Sequence, residues 1–307
     1  MSNFDAFFEK ELKPEIKELQ KLKKDLKERF FLSSVVVLAG YIFIVGNLAQ
    51  SDEGVSIIIA TLMAALILVI IYLMLSNPLE KAFRKRITSK IVSLISDTLS
   101  YYPEEHISED EYKASKLYST HYDHFSGNNL IEGKYKGVPI KFSYLKVTED
   151  KVEEERDSEG HTHTTTRTVT IFAGTFFIAE FNKKFKGEVL VLPKRFHIFR
   201  SNRMVILENP DFHNIFDVYS SDQILARYII STSLMERLIH LAGIFGKYSI
   251  RLSFINSMLY LAISGLNPFV VNILDLDNKE MYEKHLKNIK KVADIVDYLN
   301  LTLNIWR

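Results

Sequence analysis

The sequence predicts an α+β fold, in which a two-helix transmembrane hairpin with a helical stalk carries a cytoplasmic antiparallel-sheet domain packed with helices. Residues 30–49 and 55–75 are charge-free apolar runs, and each is long enough to cross a hydrocarbon core of about 30 Å as a helix. The connector between them, residues 50–54, is too short to hold a domain. From residue 116 onward, β-rich segments and amphipathic helices indicate a globular α+β domain.

Composition excludes several kinds of chemistry. The 307 residues include 39 basic and 38 acidic side chains, so the net charge of +1 provides no global field for nucleic acid, and we expect no nucleic-acid partner. The chain has no cysteine, which excludes disulfides, thiolate catalysis and cysteine-ligated metals. No cofactor motif is present, and we expect no cofactor.

Basic residues flank both apolar runs, whereas the connector carries only Asp52 and Glu53. The flanking bases are Lys21, Lys23, Lys24, Lys27, Arg29, Lys81, Arg84, Lys85, Arg86 and Lys90. Because lysine and arginine are retained on the cytoplasmic side, both termini are predicted to be cytoplasmic. The candidates for binding anionic lipid head groups are Lys23, Lys24, Lys27, Arg29, Arg84, Lys85 and Arg86. The alternative is that these residues only determine orientation.

The segments that flank the hairpin have amphipathic helical periodicity. Residues 1–29 are predicted to form an N-terminal helix, and residues 76–115 to form cytoplasmic stalk helices after an interruption at Pro78. Their apolar stripes are Leu12, Ile16, Leu19, Leu22 and Leu26 in the first segment, and Leu79, Phe83, Ile87, Ile91, Leu94 and Ile95 in the second. We expect the stripes to pack antiparallel. The alternative is that either helix lies on the membrane surface.

The globular domain, residues 116–275, is predicted to contain two hairpins. Strands 130–135 and 138–147 meet at Lys136 and Gly137, and strands 168–181 and 188–192 are expected to pair around residues 182–187. Residues 149–166 lack apolar periodicity and are expected to form a mobile loop. The spacing of Ser108 and Glu111 predicts a capping box at the start of a short helix before the domain.

In the C-terminal half, the residue pattern predicts strands 204–208 and 216–219, then two helices, then a hairpin of strands 248–255 and 258–263. The predicted capping pairs are Ser220 with Gln223, Ser233 with Glu236 in a helix ending near Gly243, and Asp277 with Glu280 at the start of a C-terminal helix in residues 276–307. Residues 252–274 carry no charge, so a third span is the alternative there. Its glycine, proline and asparagine residues favour strands.

Few side-chain clusters suggest chemistry. His161 and His163 stand near Asp157 and Glu159 and are candidate metal ligands, although a solvated loop explains the same residues. His121 and His124 are three residues apart, and we interpret them as structural. The sequence contains no hydrolase elbow, no zinc-protease helix and no correctly spaced phosphate loop.

One motif carries a family resemblance. Residues 172–183 read Phe-Ala-Gly-Thr-Phe-Phe-Ile-Ala-Glu-Phe-Asn-Lys and are followed by Phe185, Lys186 and Gly187. Together with residues 125–133 and 216–227, this motif resembles an uncharacterised bacterial family, domain of unknown function 3137, over roughly residues 80–275. The resemblance implies two N-terminal spans before a cytoplasmic domain. It provides no catalytic residues to transfer.

These observations predict a membrane-anchored cytoplasmic binding or scaffold domain of unknown ligand, in a multi-pass protein of the bacterial inner membrane. Its expected partners are the membrane and either another protein or a second copy of the chain. One alternative is an oligomeric membrane effector or pore-forming protein. Another is an enzyme that acts on a membrane-proximal substrate through His121, Asp123 and Glu180.

Overall fold

The computed structural model describes residues 3–48, 54–156, 162–194, 204–273 and 275–302. The chain forms two compact units. The helical unit contains Met1–Ile91 and Val271–Glu283, and the sheet unit contains Val92–Val270 and Lys284–Arg307. Long apolar helices and an antiparallel sheet packed with helices confirm the predicted α+β class.

The helical unit is built on two long helices. The first consists of α1 (Asn3–Phe7), a π-helical turn (Phe8–Leu12) and α2 (Lys13–Leu48), and the second of α3 (Gly54–Phe83), a π-helical turn (Arg84–Thr88) and α4 (Ser89–Ile95). Stretches Phe4–Asn47 and Ser56–Ile95 are long and apolar enough to cross a membrane. Pro78 lies inside α3, so the predicted interruption there is wrong. A proline removes one backbone hydrogen bond, and the remaining bonds keep this helix continuous.

The charged ends of the two long helices pack side by side through the predicted stripes. The members that are buried include Leu12, Ile16, Leu19, Leu79, Phe83, Ile87 and Ile91. Lys90 Nζ lies 3.3 Å from Glu11 Oε2, and Arg86 Nη1 lies 3.5 Å from Glu15 Oε2. Because these ion pairs join residues early in the first helix to residues late in the second, the packing is antiparallel, as predicted.

The apolar runs of the same helices have the opposite burial pattern. Phe31, Val36 and Phe43 are 67, 72 and 73% exposed. The helices still contact each other there, since the Tyr41 and Thr61 hydroxyl oxygens lie 2.9 Å apart. Apolar residues are therefore buried at the charged ends of the hairpin and exposed in its apolar section.

The strands of the sheet unit form one antiparallel sheet. Among the described residues they are β1 (Leu99–Tyr102), β2 (His124–Tyr135), β3 (Val138–Arg156), β4 (Thr162–Glu180), β5 (Glu188–Pro193), β6 (Met204–Val205), β7 (Phe216–Tyr219), β8 (Ser249–Ile255) and β9 (Met258–Ser264). Their order across the sheet is β1-β2-β3-β4-β9-β8-β5-β7-β6. The predicted strand 204–208 is reduced to the two residues of β6.

Helices and aromatic side chains cover the sheet. The remaining helices are α5 (Glu109–Ala114), α6 (Pro210–His213), α7 (Gln223–Ile229), α8 (Thr232–Phe245), α9 (Lys279–Ala293) and α10 (Ile295–Tyr298). Phe176 and Phe177 are adjacent on β4 and fully buried, and adjacent strand residues point to opposite faces. Tyr112 of α5 packs against Phe176 at 5.5 Å between ring centroids, and Phe142 packs against Phe177 at 6.2 Å. Both faces of the sheet are therefore covered at β4.

Two predicted hairpins are confirmed by their turns. Lys136 and Gly137 have φ of 52° and 83°, and Asn256 and Ser257 have φ of 48° and 67°. Two consecutive positive φ angles are the requirement of a type I′ turn, which suits the twist of paired strands. Because β8 and β9 occupy most of residues 249–264, a third membrane-spanning helix there is excluded.

The predicted pairing of strands 168–181 and 188–192 is wrong. The β8–β9 hairpin lies between β4 and β5, so the two strands are three positions apart in the sheet. That separation is about 14 Å, which the seven-residue connection 181–187 spans easily. Phe181 N donates to Ser257 O at 2.8 Å, and Gly187 N donates to Asn256 Oδ1 at 3.1 Å. The connection therefore passes around the β8–β9 turn and is held by it.

The predicted mobile loop at residues 149–166 is also wrong. Lys151 pairs with Arg167, Val152 with Thr166 and Glu153 with Thr165, so β3 and β4 continue as a two-stranded ribbon. Threonine is β-branched and favours strands, and a ribbon that is solvated on both faces needs no apolar alternation. Residues 157–161 lie outside the described residues.

The structure confirms one predicted cap. Ser108 accepts from Glu111 N at 3.2 Å, and Ser108 N donates to Glu111 Oε2 at 3.0 Å, which completes the capping box of α5. The predicted stalk helices, in contrast, end at Ile95, and β1 follows and pairs with β2.

Three other helix starts differ from prediction by one or two residues. Asp222 caps α7, whereas Ser220 donates to Glu188 O at 2.8 Å. Helix α8 begins after Ser231 and runs past Gly243 to Phe245. Asn278 accepts from Glu280 N at 3.0 Å and replaces the predicted Asp277. Neighbouring Ser, Asp and Asn side chains all cap well, so spacing alone does not select among them.

Candidate functional site: a cavity at the base of the apolar helices

A cavity of about 560 Å³ lies within the helical unit, between α2, α3 and residues 271–273. Its lining residues are Lys23, Leu26, Lys27 and Phe30 from α2, Tyr72, Leu79 and Glu80 from α3, and Val271, Asn272 and Ile273. The volume falls within the range of about 300–1,000 Å³ that is common for small-molecule sites.

Helical spacing explains why these side chains converge. The four residues from α2 occupy positions i, i+3, i+4 and i+7, which lie on one helix face. Tyr72 is separated from Leu79 and Glu80 by about two helical turns, so these three also share a face. The cavity is therefore bounded by one face of each long helix and closed by residues 271–273.

The cavity has a basic end and an apolar end. Lys23 and Lys27 lie toward the charged part of α2, and Phe30 is the first residue of its apolar run. The Phe30 and Tyr72 rings meet edge to face, with centroids 6.0 Å apart. Glu80 is the acidic residue of the lining, and its carboxylate is paired with Arg84 one turn later. Lysine charge therefore dominates one end, and hydrocarbon dominates the other.

The seven predicted lipid-binding bases occupy different environments. Lys23 and Lys27 line the cavity, and Lys24 and Lys85 are exposed outside it. The three arginines among the seven are each paired with a carboxylate: Arg29 with Asp25, Arg84 with Glu80 and Arg86 with Glu15. The arginines are thus held by neighbours on the helices, and Lys23 and Lys27 are the members of this set that line the cavity.

The comparison with protein families concerns residues 271–273, which form the third wall of this cavity, and the strands from the middle of β4 to β9. Residues 170–301 match the family described as protein of unknown function (DUF3137). The DUF3137 match includes residues 172–187 and 216–227, so the resemblance inferred from the sequence is confirmed. It also covers Val271 and Ile273 of the cavity, whereas residues 125–133 lie outside it.

Other comparisons add little to the DUF3137 match. The crystal structure of the mycobacterial trehalose monomycolate transport factor A is similar over 71% of this chain and 96% of that chain, with 13% identity and a TM-score of 0.34. A likeness at this level carries no functional argument. The comparison with curated proteins gives no significant match.

Sequence reasoning did not identify residues 271–273 as the third wall of the cavity. Val271 and Ile273 are more than 190 residues from the helix faces that they close, and they follow the β8–β9 hairpin. Their one local signal is that the charge-free stretch continues beyond the end of β9, where the sheet no longer requires apolar residues. The DUF3137 region thus supplies part of a site whose lysines come from outside that region.

The histidine candidates do not form a metal site in the part of the chain that the structure describes. His161 lies outside the described residues, and the backbone of His163 pairs with Glu155 in the β3–β4 ribbon. No group of three or more His, Asp or Glu residues that could hold a metal occurs among the described residues. The metal hypothesis for His161 and His163 stays a prediction.

The other two histidines pair with aspartates on the surface. His124 Nε2 lies 2.8 Å from Asp150 Oδ2, and Thr168 donates to Asp150 Oδ1 at 2.8 Å. The hydrogen bonds from His124 and Thr168 lower the pKa of the Asp150 carboxyl, and the one from His124 has the larger effect. His121 Nε2 lies 3.3 Å from Asp123 Oδ1. The His124–Asp150 pair ties the start of β2 to the base of the ribbon, and Asp123, the partner of His121, accepts from Asp150 N at 2.8 Å. Both histidines therefore have a structural role.

The residues of the enzyme hypothesis are not brought together. Asp123 N donates to Thr148 O, and Thr148 pairs with Thr170 on β4. Glu180 lies ten residues farther along β4, which corresponds to about 33 Å in an extended strand. His121 and Asp123 therefore cannot act on the same substrate atom as Glu180.

The sheet unit has a second cavity, of about 430 Å³, whose lining includes Lys113, Lys116, Tyr118, Glu188 and Tyr219. Lys116 is paired with Glu188, and Lys113 lies 2.6 Å from Glu109. Burial raises the pKa of the Tyr118 phenol, which keeps that hydroxyl protonated. Both lysines of this cavity are therefore held in ion pairs, and the phenol is neutral.

Proposed function

We propose that the protein is a membrane-anchored binding or scaffold protein of the bacterial inner membrane. In this proposal α2 and α3 cross the bilayer as a hairpin, both termini are cytoplasmic, and the sheet unit faces the cytoplasm. The basic residues at the base of the hairpin bind anionic lipid head groups, and the sheet unit binds another protein. The protein acts by holding a partner at the membrane and not by catalysis.

The observation that carries this proposal is the change in burial along the two long helices. Leu12 and Leu19 are buried, whereas Val36 and Phe43 on the same helix are largely exposed. Exposed apolar side chains on a helix with internally satisfied backbone groups are stable in lipid and costly in water. The pattern supports a helix pair that leaves the cytoplasm near Phe30.

The distribution of charge supports the orientation. The bases that precede α2's apolar run and follow α3's apolar run lie at the same end of the antiparallel hairpin. The proposed head-group contacts are Lys23, Lys24, Lys27, Arg29, Arg84, Lys85 and Arg86. Each base near an anionic surface contributes about 1 kcal/mol, so together they favour the cytoplasmic leaflet.

Two exposed isoleucines on the sheet unit support a protein partner. Ile206 and Ile224 are 72 and 83% exposed. Arg227 donates to Ile206 O at 3.2 Å, which joins α7, the helix of Ile224, to the segment that follows β6. Apolar surface exposed on neighbouring segments of a soluble domain favours an interaction site.

Single-cysteine labelling tests the topology, and the chain suits this because it has no native cysteine. Ser51→Cys places a thiol in the connector, and Ser221→Cys places one on the exposed surface of the sheet unit. With a membrane-impermeant maleimide, we expect Ser51→Cys to react in spheroplasts and Ser221→Cys to react only after lysis. The reverse order, or release of the protein by alkaline extraction, would overturn the proposal.

The mass of the detergent-solubilised protein separates this proposal from the pore-forming alternative. A pore would bury one face of each apolar helix in a ring of subunits. We expect mass photometry to show one copy, or a dimer joined through the sheet unit. A large, uniform ring would favour the pore.

A further inference from the structure

We propose that the cavity between α2, α3 and residues 271–273 binds a single anionic glycerophospholipid from the cytoplasmic leaflet. The phosphate is held by Lys23 and Lys27, and part of one acyl chain lies against the apolar wall. This inference rests on the proposed membrane insertion, because a bilayer lipid reaches the cavity only if the hairpin is in the bilayer.

The depth of the cavity matches the boundary between head groups and hydrocarbon. Lys27 precedes Phe30 by three residues, which is about 4.5 Å along a helix, and Lys23 lies about 6 Å farther away. Since the apolar run begins at Phe30, the lysines are at head-group level. Tyr72 faces Phe30 across the cavity and marks the same level on the second helix, where aromatic residues are commonly found.

The charges at the basic end favour a phosphate. The lining carries two lysines and one carboxylate, and that carboxylate, Glu80, is already paired with Arg84. Among the described residues, Lys27 has no carboxylate partner within ion-pair distance. Charge-assisted hydrogen bonds from lysine to a phosphate oxygen are stronger than those between neutral groups.

The apolar end selects a lipid over a soluble phosphate. Leu26, Phe30, Val271 and Ile273 supply hydrocarbon directly beside the lysines. A free phosphate ester would leave this surface in contact with water, whereas an acyl chain covers it. Charge complementarity at one end and hydrocarbon at the other therefore specify an amphiphile with an anionic head.

Native mass spectrometry of the full-length protein tests the basic end. The protein is reconstituted in phosphatidylcholine nanodiscs that contain phosphatidylglycerol, and is then transferred to mild detergent. We expect the parent protein to retain a single phosphatidylglycerol. Lys27→Glu should lower its retention about tenfold or more, because a charge-assisted hydrogen bond is replaced by repulsion. Lys17→Glu makes the same charge change at an exposed position of the same helix, outside the cavity and away from the proposed head-group contacts, and should retain the lipid.

A second pair of variants tests the apolar end without changing charge. Leu26→Trp places an indole in the cavity and should reduce retention, whereas Leu32→Trp adds the same ring on an exposed position of the apolar run and should not. Helix content by circular dichroism, compared across all four variants, identifies any loss of retention caused by misfolding. Loss of lipid in Lys27→Glu or Leu26→Trp counts as evidence for the cavity only if that variant keeps the helix content of the parent protein.

Three results would overturn the inference. They are equal loss of lipid in Lys17→Glu and Lys27→Glu, equal retention of phosphatidylcholine and phosphatidylglycerol, and displacement of the lipid by soluble glycerol 1-phosphate. Each of these leaves the proposed membrane anchoring intact, because the topology is tested separately by Ser51→Cys and Ser221→Cys labelling. Failure of the labelling experiment would instead reject the hairpin itself.

Discussion

The hairpin and the sheet unit place the same kinds of side chain in opposite environments. Phe142, Phe176 and Phe177 of the sheet unit are fully buried, whereas Phe31 and Phe43 of the hairpin are mostly exposed. In water, exposure of that much apolar surface costs about 25 cal/mol for each Å². The sheet unit buries its phenylalanines in a core of its own, whereas the phenylalanines of the hairpin would be covered only by the lipid of the proposed membrane.

The largest expected effect is on stability, and it should differ between a phenylalanine of the sheet unit and one of the hairpin. Phe177→Ala should lower the free energy of unfolding of the sheet unit by about 4 kcal/mol, because it leaves a cavity in a close-packed core. Phe43→Ala removes a ring that packs against no core and should leave that unfolding transition unchanged. Urea titration of both variants, followed by near-ultraviolet circular dichroism, makes the comparison. Equal destabilisation would contradict it.

A charge in the middle of the hairpin should oppose insertion. Leu66→Arg places a guanidinium near the centre of the second apolar run, at a cost of about 3 kcal/mol. Ile224→Arg makes the same change at an exposed apolar position of the sheet unit. Membrane fractionation should show less Leu66→Arg in the pellet and normal amounts of Ile224→Arg. Normal insertion of Leu66→Arg would indicate that the helix centre is in water.

Acid should destabilise the sheet unit through His285. Burial lowers the pKa of this imidazole from 6.5 to about 4, although its hydrogen bond to the Pro268 backbone acts in the opposite direction. Between these values the unfolded chain binds a proton that the folded chain does not. The neutral His285 therefore makes its full contribution to the free energy of unfolding above pH 6.5. That contribution, about 3 kcal/mol, is lost as pH falls toward 4. His285→Gln should have a shallower pH dependence than the parent, and an unchanged slope would reject this origin.

The smallest effect concerns the cap of α5. Ser108→Ala removes the hydroxyl that accepts from Glu111 N and should cost about 1 kcal/mol, while Ser108→Asp should restore it. Because α5 carries Tyr112 onto the aromatic cluster over β4, the loss should be visible as a lower melting temperature of the sheet unit. A change confined to the hairpin would contradict the assignment of α5 to the sheet unit.

Sequence reasoning succeeded where a few adjacent residues decide the structure. Lys136 with Gly137 and Asn256 with Ser257 adopt positive φ angles, and such pairs define their hairpins without help from the rest of the fold. The stripe from Leu12 to Leu19 likewise predicted its own burial by helical spacing. Local turn chemistry and periodicity are encoded within a few residues of each other.

Sequence reasoning failed where distant segments decide. The placement of the β8–β9 hairpin between β4 and β5 depends on residues about 70 positions later in the chain. Prediction of the cavity failed for the same reason. Lys23 and Lys27 were identified by charge, but Val271 and Ile273 were not associated with them. A local sequence pattern does not indicate against which helices a distant apolar segment will pack.

Nitroxide accessibility along α2 tests most directly whether the apolar section lies in hydrocarbon. Single cysteines at Lys17, on the exposed face of the charged section, and at Val36, in the apolar section, each carry a spin label in reconstituted bilayers. We predict that the label at residue 36 is relaxed mainly by oxygen, and that the label at residue 17 is relaxed mainly by an aqueous nickel chelate. Strong relaxation of the label at residue 36 by the nickel chelate would contradict the membrane hairpin.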